Sequence, residues 1–142
     1  MALHLVKLCV GAESIDDLAK WQKRRRQERK KRGETGETFH VTRQMPRRAA
    51  ELLDGGSLYW VIKGQIAVRQ RLLELRPVVR NGGPRCALIL DHNLVPVTRR
   101  HHRPFQGWRY LTEKDAPRDL RPGELVKLPE DLRAELASLG LI

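Results

Sequence analysis

Gln22 to Arg32 is a run of eleven residues without one hydrophobic side chain, in a chain that is 40% hydrophobic overall. Lys20 to Arg32 holds nine Lys or Arg against a single acid, Glu28. That segment therefore carries +8 of the formal +11 of the 142 residues. Just before it, Ser14 and Asp17 form a capping box, and Ile15, Leu18 and Trp21 fall at helical spacing. The apolar stripe ends at Trp21. Beyond it, about 16 Å of helix, at about 1.5 Å per residue, has nothing to bury. The expectation is a basic helix end and loop, residues 22–38, that projects from the body or frays.

The charge is thus local. Lys and Arg contacts to phosphates supply most non-specific affinity for nucleic acids, so the segment seeks a polyanion. Lys23, Arg24, Arg25, Arg26, Arg29, Lys30, Lys31 and Arg32 are its candidate contacts. Nucleic acid ranks ahead of an acidic membrane, because a membrane-surface helix carries apolar residues opposite its charge and this run has none. A solvated, frayed helix remains the alternative.

The remaining residues are enough for one domain, 1–142, burying about 70% of its unfolded surface. No apolar stretch approaches the roughly 20 residues of a spanning helix. Leu3 to Val10 is short, contains His4 and Lys7, and reads as a first strand rather than a signal peptide. Two cysteines, Cys9 and Cys86, exclude a disulfide framework and suit a reduced, cytoplasmic compartment. Both lie in apolar stretches and read as small buried hydrophobes.

Gly33 to Thr38 reads as a loop. Phe39 to Arg43 reads as a strand with Phe39 and Val41 on one face, His40 and Thr42 on the other. Pro46 suits the first turn of a short helix ending at Gly55-Gly56. Ser57 to Lys63 places Leu58, Trp60 and Ile62 opposite Tyr59, Val61 and Lys63. Gln65 to Val79 is extended, with room for a bulge; Ala67, Arg69, Arg71 and Leu73 then oppose Ile66, Val68, Gln70 and Leu72. Asn81 to Pro84 turns the chain into Cys86 to Leu90. Leu94 to Val97, interrupted by Pro96, belongs near an edge. A C-terminal helix is expected from about Glu130, within a helical extension spanning 121–142. The pattern indicates an α+β fold: a small mixed, partly closed sheet with a basic N-terminal helix, a short middle helix and a C-terminal one.

Five of the seven aromatic residues sit in two segments, Tyr59-Trp60 and Phe105 to Tyr110. Each segment also carries a cation, Lys63 or Arg109. Aromatic faces beside Arg or Lys suit unpaired nucleotides. Trp60 and Phe105 read as core. Trp108 is open between core and surface, whereas Tyr59, sharing a face with Lys63, is expected to be exposed. Arg69 and Arg71 would form a basic ridge, extended by Lys63 and Arg43 if their strands are neighbours. Solvated arginines on an exposed sheet face are the plain alternative.

Signals for catalysis are thin. His101-His102 near Asp91-His92 lacks structural-zinc spacing, and Arg99, Arg100 and Arg103 would repel a cation. No phosphate-loop, HExxH or GxSxG motif is present. No metal or cofactor is expected. Cys86 lies in an apolar strand, unsuited to a nucleophile.

The words Leu5 to Gly11, His40 to Arg43, Glu51 to Gly64, Arg69 to Arg71, Phe105 to Leu111 and Asp115 to Leu120 resemble the bacterial family catalogued as domain of unknown function 1489. That resemblance carries no activity and does not include Lys20 to Arg32. The Gly55-Gly56 turn into Leu58 to Ile62, the long following strand and its return at Cys86 to Leu90 are similar in arrangement to PUA-like small β-barrels. Many of those bind RNA or modified bases, although fold alone does not settle function.

Three functions follow as expectations. The first is a non-enzymatic nucleic-acid-binding protein, RNA ahead of DNA, using the basic arm with Arg43, Tyr59, Lys63, Arg69, Arg71, Trp108 and Arg109. The second is a small enzyme acting on a nucleotide or modified base, with a pocket near Gly107, Trp108, Arg109 and Asp115. The third is an interaction module for an acidic or ribosomal partner. Oligomeric state stays open.

Overall fold

Every residue from Ser57 to Ile62 is buried, and this strand, β3, organises the sheet. The computed structural model describes residues 2–121 and Glu124; the expected C-terminal helix lies outside the described residues. A strand apolar on both faces needs cover on both sides. On one edge β3 pairs in parallel with β1 (Leu3–Leu8), and β1 pairs antiparallel with β7 (Trp108–Thr112). On its other edge lies the sixteen-residue β4 (Gln65–Arg80). The far edge of β4 is shared. Its first residues take β6 (Val95–His101), and its remainder takes β5 (Gly83–Leu90). β5 in turn carries β2 (Thr38–Thr42), giving the order β2-β5-β4-β3-β1-β7 with β6 off this path.

The hairpin between β4 and β5 turns at Asn81 and Gly82, both at positive φ, as an Asn-Gly turn requires. Gly55 and Gly56 stop α2 (Ala49–Leu53) for two separate reasons. Gly55 adopts φ 88°. A Cβ on Gly56 would collide with the carbonyl oxygens of Leu3 and Leu52. Pro46 does not open this helix, which begins three residues later at Ala49.

Two apolar clusters line the two faces. One gathers Leu5, Leu58, Trp60, Leu72, Leu88 and Leu90 with Ile15, Leu18 and Leu52 from the helices. The other gathers Val6, Tyr59, Val61, Ile66, Val97 and Leu111. Ile66 and Val68 thus face opposite ways, unlike the simple alternation, because the register of β4 slips between them. That slip is a β-bulge, and Ala67 is the extra residue.

The sheet is strongly curled. In a flat sheet β2 and β3 would lie about 14 Å apart, three strand spacings. Instead the His40 and Trp60 rings meet edge to face at 5.3 Å. The outer strands also approach: Trp108 Nε1 on β7 donates to Gln44 O, just beyond β2, at 2.8 Å. The Tyr110 hydroxyl accepts from the backbone N–H groups of Arg47 and Arg48 at 3.1 and 3.2 Å. No ladder joins β2 to β7, so the sheet is not closed into a barrel and the PUA-like form is not shown. The α+β class stands. No helix among the described residues is long and apolar enough to cross a membrane.

Candidate nucleic-acid interface

α1 (Ile15–Lys31) opens with the expected cap: Ser14 Oγ accepts from Asp17 N at 3.0 Å, and the Asp17 carboxylate accepts from Glu13 N. Ile15 and Leu18 are fully buried, each contributing roughly 1.5–3 kcal/mol. The expectation fails beyond Trp21. The helix does not project, because Gln22 and Arg29 are buried against the sheet. Gln22 and Gln70 exchange two amide hydrogen bonds at 2.9 Å. Trp60 Nε1 donates to the same Gln70 oxygen, and the Gln70 amide also donates to Asp91 O. One turn further on, Arg26 donates to Thr38 Oγ1, and Arg29 donates to Glu37 O while its guanidinium lies 4.4 Å above the Phe39 ring. Polar bonds and a cation–π contact replace the missing apolar stripe.

This docking divides the basic run into two faces. Lys23, Arg24, Lys30 and Lys31 stay exposed, and none has a carboxylate partner among the described residues. Arg25, Arg29 and Arg32 turn toward a cleft of about 470 Å³ between α1 and β2, lined also by Trp21, Phe39, His40, Val41 and Arg80. β2 is an edge strand there, its ladder shared with β5 alone among the described strands. Arg25 lies 4.7 Å from the centre of the Trp21 ring. Arg32 pairs with Glu34. Arg29 is 9% exposed, yet its Nε has no hydrogen-bond partner. Burial, then the neighbouring charge of Arg25, pushes its pKa down; Arg26 and Arg32 add to this and Glu34 opposes it, while Arg29 in turn helps lower the Glu37 carboxylate.

The cleft continues into a smaller hollow of about 170 Å³ bounded by Lys7, Cys9, Leu18, Trp21, His40 and Trp60. Burial, reinforced by the charges of Lys7 and Arg25, lowers the His40 pKa to about 4, so the imidazole is neutral at physiological pH. Burial raises the Cys9 thiol to about 11 and lowers Lys7. A third recess of about 690 Å³ follows the seam between β2 and β7, where Lys7 and Arg43 flank Trp108. Arg43 and Trp108 are therefore neighbours.

The other expected contacts part company. Tyr59 is 4% exposed, packed edge to face on His4 at 5.0 Å, with its pKa raised to about 12 by burial. The expected surface position fails because β6, Phe105 and Ala116 cover that face. Lys63 is not on a strand; with φ 51° it forms the β3–β4 turn beside Gly64. Arg69 is held by Asp119 through two bonds of 2.7 and 2.8 Å and donates to Ser57 Oγ, so only Arg71 of the supposed ridge is exposed. The same pair holds the Asp119 carboxylate below its usual range.

Arg109 stacks on Phe105 at 5.4 Å and faces a recess with Arg100, His101 and Asp115, on the opposite side of β7 from Trp108. A single pocket of Trp108, Arg109 and Asp115 does not form. His101 ends β6 rather than lying in a loop. Ser57, His4 and Glu113 also meet, but not as a nucleophilic triad. His4 Nδ1 accepts from Ser57 N and Nε2 donates to Glu113, leaving nothing for the serine hydroxyl. No group of three metal-ligating side chains gathers among the described residues.

Sequence reasoning does not place Trp21, Phe39, His40, Lys7 or Arg80 at the interface. Trp21, which reads as the end of the core stripe, is 41% exposed. Helical spacing alone aligns it with Arg25, Arg29 and Arg32.

No curated protein and no solved structure matches the chain. The family model described as protein of unknown function (DUF1489) matches residues 5–142, including the basic run and the C-terminal segment that the shared sequence words do not reach, and the chain belongs to that family.

Proposed function

We propose that the protein is a non-enzymatic binder of RNA, holding an unpaired strand along the cleft between α1 and the free edge of β2. One observation carries this reading: Arg29 is buried among Arg25, Arg26 and Arg32 with an unpartnered Nε, while the nearby acids are Glu34, paired with Arg32, and Glu37, paired with Arg76. A buried cation with cationic neighbours costs the folded state free energy, and an arriving phosphate offsets that cost. The rings of Trp21 and Phe39 line the same cleft, each with one face covered by an arginine, Arg25 and Arg29, so bases would stack on what remains open. Because α1 lies against the sheet, its inner face is not free to enter a duplex groove. Unpaired nucleotides, the usual target of selective RNA recognition, suit the cleft better. The outward Lys23, Arg24 and Lys31 add attraction that does not depend on sequence.

Fluorescence anisotropy with a single-stranded RNA of about 12 nucleotides, scanned from about 50 to 200 mM salt, tests the reading. Binding should weaken steeply with salt. Replacing Lys23, Arg24 and Lys31 by Ala should flatten the log–log slope by about 0.7 for each phosphate no longer held. Absence of binding even at about 50 mM salt would end the proposal.

A further inference from the structure

We infer that the cleft seats one nucleotide of the bound strand as a unit, its base in the hollow between Trp21 and His40 and its phosphate against Arg25 and Arg29. This rests on the RNA-binding reading and deepens it. The two spaces share Val10, Trp21 and His40 in their walls, so they form one continuous cleft with an apolar end and a cationic end. The apolar end, about 170 Å³, is below the roughly 300–1,000 Å³ of sites that hold whole drug-sized ligands, which suits a single ring system.

Its chemistry suits a neutral heterocycle. The Trp60 indole N–H is already committed to Gln70, whereas the His40 ring makes no hydrogen bond within the described residues. A neutral imidazole offers one donor and one acceptor, which an uncharged base edge can match. The cationic end lies close by. The Arg25 guanidinium sits 4.7 Å from the Trp21 ring centre, and Arg29 follows one helical turn on with its Nε unpartnered. A ligand uniting a planar, hydrogen-bonding ring with an adjacent phosphate is a nucleotide, its phosphate a singly charged diester within a strand and a dianion in the free 5′-monophosphate.

The test titrates adenosine and uridine 5′-monophosphate, the two free nucleosides and inorganic phosphate into the intact chain. The indole N–H resonances of Trp21, Trp60 and Trp108 provide the readout, alongside RNA anisotropy. The monophosphates should shift Trp21 and Trp60 but not Trp108, and bind at least about tenfold more tightly than phosphate or nucleoside alone. Trp21→Ala, at an exposed position, should weaken monophosphate and RNA by about 5- to 150-fold, the range for one lost stacking partner. Arg25→Ala should weaken the monophosphates and leave nucleoside binding unchanged. If RNA binds but the monophosphates do not move Trp21, or act no better than phosphate, the inference falls while the RNA reading stands. If RNA does not bind and a phosphotyrosine peptide does, both fall.

Discussion

His40 shows how much one half-buried side chain can record. It lies on the inner face of β2, edge-on to Trp60, and burial holds its pKa at about 4 against 6.5 for a free imidazole. Between about pH 6.5 and 4 the unfolded chain takes up this proton and the folded chain does not, so stability is lost as pH falls through that window. The loss should approach 3 kcal/mol, because each tenfold difference in proton affinity between the two states is worth about 1.4 kcal/mol. Urea unfolding of the wild type and His40→Gln at matched pH values isolates it, because other groups titrate equally in both. A pH dependence identical in the two would remove the argument. At this scale the sequence placed His40 and Thr42 opposite Phe39 and Val41 correctly. It misplaced Tyr59, because alternation separates the two faces of a strand without telling which face another element covers.

Among the elements, strands and turns were legible and docking was not. The Asn-Gly turn, the apolar run of β3 and the glycine stop of α2 are local signals, each following from φ preference or period-2 alternation. The seat of α1 is not local. Gln22 pairs with Gln70, forty-eight positions away, and Arg29 uses a backbone carbonyl and a ring, so no apolar stripe announces the contact. β7 escaped notice for the same reason, its partner β1 lying about a hundred residues earlier. The close approach at Gly56 offers an element-level test. Gly56→Ala must push apart the end of α2 and the start of β1, and should cost about 3 kcal/mol or more by thermal or urea unfolding. A loss below about 0.5 kcal/mol, the range of ordinary surface substitutions, would mean that this junction yields freely.

At the scale of the whole molecule, the sheet stays open along the seam between β2 and β7. The seam is bridged by side chains, chiefly Trp108 to Gln44 O and Tyr110 to the backbone at Arg47 and Arg48, rather than by a ladder. Trp108→Phe keeps the ring's apolar body and deletes one donor. Global stability should fall by only about 1 kcal/mol, while amide exchange quickens selectively in β2 and β7. Uniform loss of protection across the sheet would instead make the seam part of the core. The molecule's charge follows the same geometry. On the proposed reading the outward lysines and arginines of α1 would attract the strand and the cleft-facing set would select it, where the curl of the sheet brings Trp21, His40 and Arg29 close together. The sequence located the charge. It could not show that Arg29 is buried against the sheet and that Arg25 and Arg32 line the cleft beside it.

The account depends on Arg29 being held for an anion rather than for the fold. Arg29→Met keeps the stem's packing and removes the charge, so thermal unfolding and RNA anisotropy on that one variant separate the two roles. Stability should stay within about 1 kcal/mol of wild type, the lost bond to Glu37 O and the lost cation–π contact with Phe39 being offset by relief of a buried, crowded cation, while RNA affinity falls at least about tenfold. A variant that loses several kcal/mol of stability yet binds RNA as tightly as wild type would contradict it.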